Sequence, residues 1–140
     1  MGKEIRVVLD TKVWVSIFIK KTLGREFSKI FEKKDIKIYC SEPLLKEISK
    51  VLMYPKIIKL LDLARITPKG LIRIIAENSI MVKPEERVNV IKEDPEDNRV
   101  LECALVAKAD FIVSGNRHLL KLEKFKNIGI LTPRKFLELV

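Results

Sequence analysis

The chain has 140 residues, 47% hydrophobic and 34% charged, which suits one folded domain over residues 1–140 and excludes both a disordered polymer and two ordinary domains. No apolar run reaches the roughly 18 residues that span a bilayer, and the N-terminus lacks the ordered charged, apolar and small segments of a signal peptide, so a cytoplasmic protein is expected. Lys and Arg number 28 against 19 Asp and Glu, a formal charge of +9 that favours a polyanionic partner, although the same Lys, Glu, Ile and Leu richness without Gln also fits heat adaptation.

IRVVLD, from Ile5 to Asp10, is a short and nearly continuous apolar run rich in β-branched residues, the pattern of a strand covered on both faces. KVWVSIFIK and REFSKIFEKK then read as helical, with Phe27, Ile30 and Phe31 at helix spacing. IKIYCS is a second strand. SEPLLKEISKVLM carries a helix start, with Ser41 to cap, Pro43 in the first turn, and Leu44, Leu45, Ile48, Val51 and Leu52 on one face. Helical stretches KIIKLLDLAR and TPKGLIRIIAENS follow, then a third strand in IMVKP. DPEDNRVLECALVAKA opens with turn and cap residues and continues as a helix. DFIVSGN and IGIL give a fourth and a fifth strand, and TPRKFLELV closes with a helix. Cys40 and Cys103, far apart and in apolar surroundings, read as core residues. Alternation of strands and helices predicts an α/β fold, a three-layer α/β/α sandwich with a central parallel sheet.

Ligands of such sheets gather outside the carboxyl ends of the strands, which singles out a few acids. Asp10 ends the first strand, and is either a cap for the helix after it or a site residue. Asp94 and Asp97 stand before the helix that leads to the fourth strand, with the same two readings. Glu47 borders the apolar face of its helix, either as a solvated charge or reaching inward. Gathering such acids at one edge calls for a cation, since like charges about 4 Å apart repel by roughly 4 kcal/mol at an effective dielectric near 20. Carboxylate oxygens suit Mg²⁺ or Mn²⁺. Lys20, Lys21, Arg25, Arg99 and Arg117 are candidates for steering an anionic strand. His118 reads as a surface or capping residue, and Trp14 as core or dimer interface. The absence of a Gly-rich phosphate loop argues against a nucleoside triphosphatase.

The ordered set LDTKV, SEPLLKEISKVL, DPEDNRVLECALVAKADFIVSGNRHLL and ILTPRKFL, from Val7 to Leu137, resembles the PIN domain family, in particular its toxins of toxin–antitoxin pairs. The resemblance implies a metal-dependent endoribonuclease that hydrolyses single-stranded RNA, with Mg²⁺ or Mn²⁺ as cofactor, an antitoxin protein as partner and a homodimer as assembly. Matching positions imply Asp10, Glu47 and Asp97 as catalytic, metal-ligating acids. Asn116 falls where the family usually has a fourth acid, in a T-G-D sequence that is SGN here. Thr11 and Ser114 match supporting hydroxyl positions.

Lys12 departs from the family's L-D-T-N-V, where asparagine is usual. Its ammonium either folds among the acids in place of a metal or points outward along its flexible stem. The first case gives the alternative function, a catalytically inactive PIN-like module that binds RNA or a protein partner. A phosphoacceptor receiver built on Asp10 fits less well, because the usual acid pair is not adjacent and Glu47 has no role in it.

Overall fold

The computed structural model describes residues 3–140. β1 (Ile5–Leu9) buries Val7, Val8 and Leu9 completely, as its unalternating sequence requires. α1 (Thr11–Ile19) and α2 (Lys21–Glu32) lead to β2 (Ile36–Ser41). α3 (Glu42–Leu52) starts where predicted, with the Ser41 hydroxyl accepting from the Leu44 amide and Pro43 in the first turn. α4 (Pro55–Leu63) and α5 (Pro68–Glu77) follow, the latter capped by Thr67. β3 (Ile80–Val82), a long connection ending in a 3₁₀ turn (Pro95–Asp97), α6 (Asn98–Ala107) and β4 (Phe111–Val113) come next. The chain finishes with α7 (Arg117–Leu120), β5 (Lys124–Phe125), β6 (Ile128–Leu131) and α8 (Pro133–Leu139).

The six strands form one sheet in the order β3-β2-β1-β4-β6-β5, parallel except at β5. Register separates its two faces. Val7 pairs with Ile38 on one side and Phe111 on the other, so these three point the same way. Phe111 meets Phe136 of α8, which stacks on Phe27 of α2, and Trp14 of α1 stacks on Phe31 of the same helix. The opposite face carries Arg6, whose guanidinium lies over Tyr39 and donates to the Ala107 carbonyl of α6. The sheet is thus sandwiched between helices, as expected. Trp14 is wholly buried, which settles it as core, and both cysteines are buried too.

The antiparallel β5 was not expected. It is two residues long and joins β6 through Lys126 and Asn127, both at positive φ (45° and 72°), the backbone of a tight hairpin turn. Asn127 is a usual residue for such a turn and Lys126 is not, and two residues are too few for periodicity to reveal. Among the described residues no helix is long and apolar enough to cross a membrane.

Gly24 marks where α2 crosses the end of α1. A Cβ there would stand 2.5 Å from the Ile17 carbonyl oxygen, inside contact distance with backbone that cannot step aside. In an open helix Gly→Ala stabilises by roughly 1 kcal/mol. Here Gly24→Ala is expected to destabilise by about 1–3 kcal/mol, read as a lower urea midpoint. A midpoint at or above that of the parent would contradict this packing.

Candidate active site

β1 ends at Leu9 because the next residue turns its carboxylate into the start of a helix. Asp10 is 4% exposed, and its Oδ1 accepts from the Val13 amide, so the cap reading holds. The backbone amide of Asp10 donates to the Val113 carbonyl of β4 (3.0 Å), placing the ends of the two central strands side by side. Ser114, wholly buried just past β4, donates its hydroxyl to Asp10 Oδ2. The same hydroxyl oxygen accepts from the Asn116 amide at 2.9 Å.

Asn116 continues the chain of contacts toward a second acid. Its Oδ1 accepts from the His118 amide (2.7 Å), capping α7, and its Nδ2 donates to Asp97 Oδ2 (3.0 Å). The two bonds fix the amide's orientation together, because a backbone N–H needs the oxygen and a carboxylate needs the nitrogen. In this arrangement the Asn116 oxygen caps α7 and its nitrogen faces Asp97. His118 Nδ1 lies 3.5 Å from Asp97 Oδ2, nearer the site than a surface residue would be.

Asp94 and Asp97 do not cap with their side chains, contrary to the capping reading. The turn that carries them is held instead by Asn98 and Glu102. The Asn98 side chain accepts from the Val90 and Ile91 amides and donates to the Ile91 and Pro95 carbonyls. Glu102 Oε2 accepts from the Val88 amide and from Arg99, both at 2.9 Å. Arg99 is thereby a structural partner of Glu102 and not a cation available to an anionic strand. Sequence reasoning missed both anchors. The signal was a polar residue at a buried position of an apolar helix, 1% exposed for Asn98 and 3% for Glu102.

Asp10, Glu47 and Asp97 line one cavity of about 600 Å³ together with Asp94, Glu96, Thr11, Lys12 and Asn116. It opens at the carboxyl edge of the sheet. Its far wall is apolar, with Ile19, Leu44, Val51 and Leu60. Lys12 is exposed and lines this cavity; among the described residues it forms no ion pair with an acid, though its charge weakly opposes the rise in the Asp10 pKa. The acids do not form a ready-made cage: among the described residues no three His, Cys, Asp or Glu are gathered closely enough to hold a metal. Their chemistry nevertheless fits a hard divalent ion, since all offer carboxylate oxygen and only Glu96 is neutralised, by Lys50 at 2.9 Å.

The protons report burial first and neighbouring acids second. Burial pushes Asp10 up to about 6, against the opposing pull of the Ser114 and Val13 hydrogen bonds, and the Asp97 charge raises it further. Burial, and then neighbouring Glu96, pushes Glu47 up to about 7. Asp97 is raised by burial and by Asp94. A buried acid whose folded pKa is raised binds more protons folded than unfolded, so its contribution to stability falls as pH rises from about 4 through 6. Asp10→Asn keeps the cap acceptor and removes this penalty. In chelator at pH 8 the variant is expected to be more stable than the parent by about 1–2 kcal/mol, with the difference vanishing near pH 4. Urea denaturation at the two pH values measures it, and a variant that loses stability equally at both would contradict the electrostatic account.

No curated protein matches the chain. A family model described as PIN domain matches residues 6–118, which runs from β1 into α7 and takes in Asp10, Glu47, Asp97, Ser114 and Asn116. PIN domains are a nuclease-type family, generally dependent on divalent metal. With a mostly parallel sheet, an acid at the end of its first strand and further acids lining one cavity at its carboxyl edge, the chain belongs to the PIN domain family.

Proposed function

We propose that the chain is a divalent-metal-dependent endoribonuclease that hydrolyses phosphodiester bonds of single-stranded RNA. The observation that carries this reading is one cavity lined by acids from three separate elements, the end of β1, α3 and the turn before α6, in a PIN domain. Asp10, Glu47 and Asp97 would hold Mg²⁺ or Mn²⁺. Such an ion supplies activation of water and neutralises charge developing on the phosphodiester oxygens.

The chain's own residues supply position. Ser114 and the Val13 amide fix the Asp10 carboxylate. Asn116 orients Asp97 and leaves its second oxygen for the cavity. Glu47, with its pKa near 7, is poised to give up its proton as positive charge arrives. Lys50 keeps Glu96 neutralised and outside the ligand set. In this reading Asn116 is a positioning residue, not a fourth ligand.

The rival is an inactive binding module with Lys12 among the acids; Lys12 lines their cavity but among the described residues forms no ion pair with them, and the cleavage assay below decides between the two readings. The role as the toxin of a toxin–antitoxin pair, with an antitoxin partner and a homodimeric state, rests on the sequence resemblance. Exposed Met53, Tyr54, Ile58 and Leu63, on and beside α4, are suited to a protein contact.

Cleavage of a labelled single-stranded RNA in Mg²⁺ or Mn²⁺ tests the reading. Asp97→Asn should lower the rate by more than 100-fold, and Asn116→Ala by the roughly 10–100-fold typical of losing a partner that orients a ligand. A parent that is silent until Lys12→Asn is introduced would overturn the reading in favour of the inactive module.

A further inference from the structure

A second cavity, of about 1010 Å³, adjoins the acidic one, and Lys12, Ser16 and Lys20 line both. Its walls come from α1, α2 and α8. Four cations, Lys12, Lys20, Lys21 and Arg134, face two acids, Glu26 and Glu138, and Glu26 is already 4.0 Å from Lys29. Among the described residues none of the four cations is in an ion pair.

Lys20 and Lys21 sit unfavourably without an anion, being the N-cap and first residue of α2, which has no acid in its first turn, whereas Lys12 in the first turn of α1 already has the capping Asp10 beside it. Helix N-termini carry partial positive charge and favour acids, so cations there are misplaced unless a negative group joins them. Lys20 makes no side-chain cap bond either, which leaves the first amides of α2 to another acceptor.

We propose that this groove holds the backbone phosphates of the RNA strand adjoining the bond cut in the acidic cavity, with Lys12 at the junction between the two. The inference rests on the ribonuclease reading above and adds the path of the substrate. An unpaired RNA strand carries one negative charge per nucleotide and must pass from anion-binding groove to metal-binding acids. RNA is favoured over an acidic polypeptide because the groove adjoins the cavity to which the ribonuclease reading assigns the phosphodiester bond. Lys12 then acts as a phosphate-positioning residue.

The test measures binding of a labelled single-stranded oligoribonucleotide in Mg²⁺ across a range of KCl, with every protein carrying Asp97→Asn so that the strand stays intact. Lys21→Gln with Arg134→Gln should weaken binding at low salt by about 10-fold or more and lower the slope of log K against log salt by about 1.4, from about 0.7 per phosphate contact on a single strand. Lys33→Gln with Lys34→Gln, at the opposite edge of the sheet, removes the same charge and should leave the slope unchanged. Equal slopes for parent and groove variant, or equal losses in groove and control variants, would overturn the groove while leaving cleavage by the parent untouched. Competition by poly-glutamate as strong as by RNA would overturn the assignment to RNA. A groove effect on binding in a protein that never cleaves RNA would uphold the groove and sink the nuclease reading instead.

Discussion

The run of hydrogen bonds from Asp10 through Ser114 and Asn116 to Asp97 is the constraint on which the rest of the site depends. It ties the end of one central strand to the residues just past its neighbour, and from there to a turn 19 residues earlier in the chain. Each link is a hydrogen bond between groups that are buried or partly buried. Asp10 serves two purposes at once, capping α1 and presenting a carboxylate at the sheet edge, and Ser114 is wholly buried so that its hydroxyl has no competing solvent. The arrangement is the strand-end geometry that parallel sheets favour for ligands, built here from side chains of one or two rotatable bonds.

Such a site is costly to the protein that carries it. Two carboxylates are drawn partly or wholly out of water, and burial raises Asp10 to about 6 and Glu47 to about 7, with Asp97 adding to the first shift and Glu96 to the second. The core of β1, β2, β4 and the helices over them supplies the stability against which this cost is set. Asn98 and Glu102 prevent the turn from relaxing away from the repulsion, because leaving their backbone partners unsatisfied would cost about 1–3 kcal/mol for each group. Local destabilisation that a bound cation reverses is the expected signature of a site organised for binding and not for folding.

Much of this was legible in the sequence and some was not, for physical reasons. Buried parallel strands write themselves as uninterrupted β-branched runs, so IRVVL and IKIYCS were read correctly, as was the helix start at Ser41 and Pro43. Asp10 stood out because an acid ends an apolar run. The orientation of Asn116 was not legible, since a side-chain amide offers both an oxygen and a nitrogen and only the neighbouring His118 amide decides between them. Nor was the place of Lys12 at the junction of the two cavities, since its four-carbon stem reaches either way. Nor does apolar spacing alone reveal that Arg99, a candidate for steering an anionic strand, pairs with Glu102 three residues on in the same helix. The groove between α1, α2 and α8 joins segments more than 100 residues apart, and no local pattern announces it.

The central claim, that the Asp10 to Asp97 network prepares a place for a divalent cation, is most directly tested by the thermal midpoint at pH 8 with increasing Mn²⁺, for the chain as it stands and for Asp97→Asn. A ligand that favours the folded state must stabilise it, by about 2.7 kcal/mol at a hundred times its dissociation constant. The midpoint of the parent should climb with the logarithm of Mn²⁺ concentration while that of Asp97→Asn stays nearly flat. A parent midpoint indifferent to Mn²⁺, or one that climbs equally in both proteins, would contradict the account.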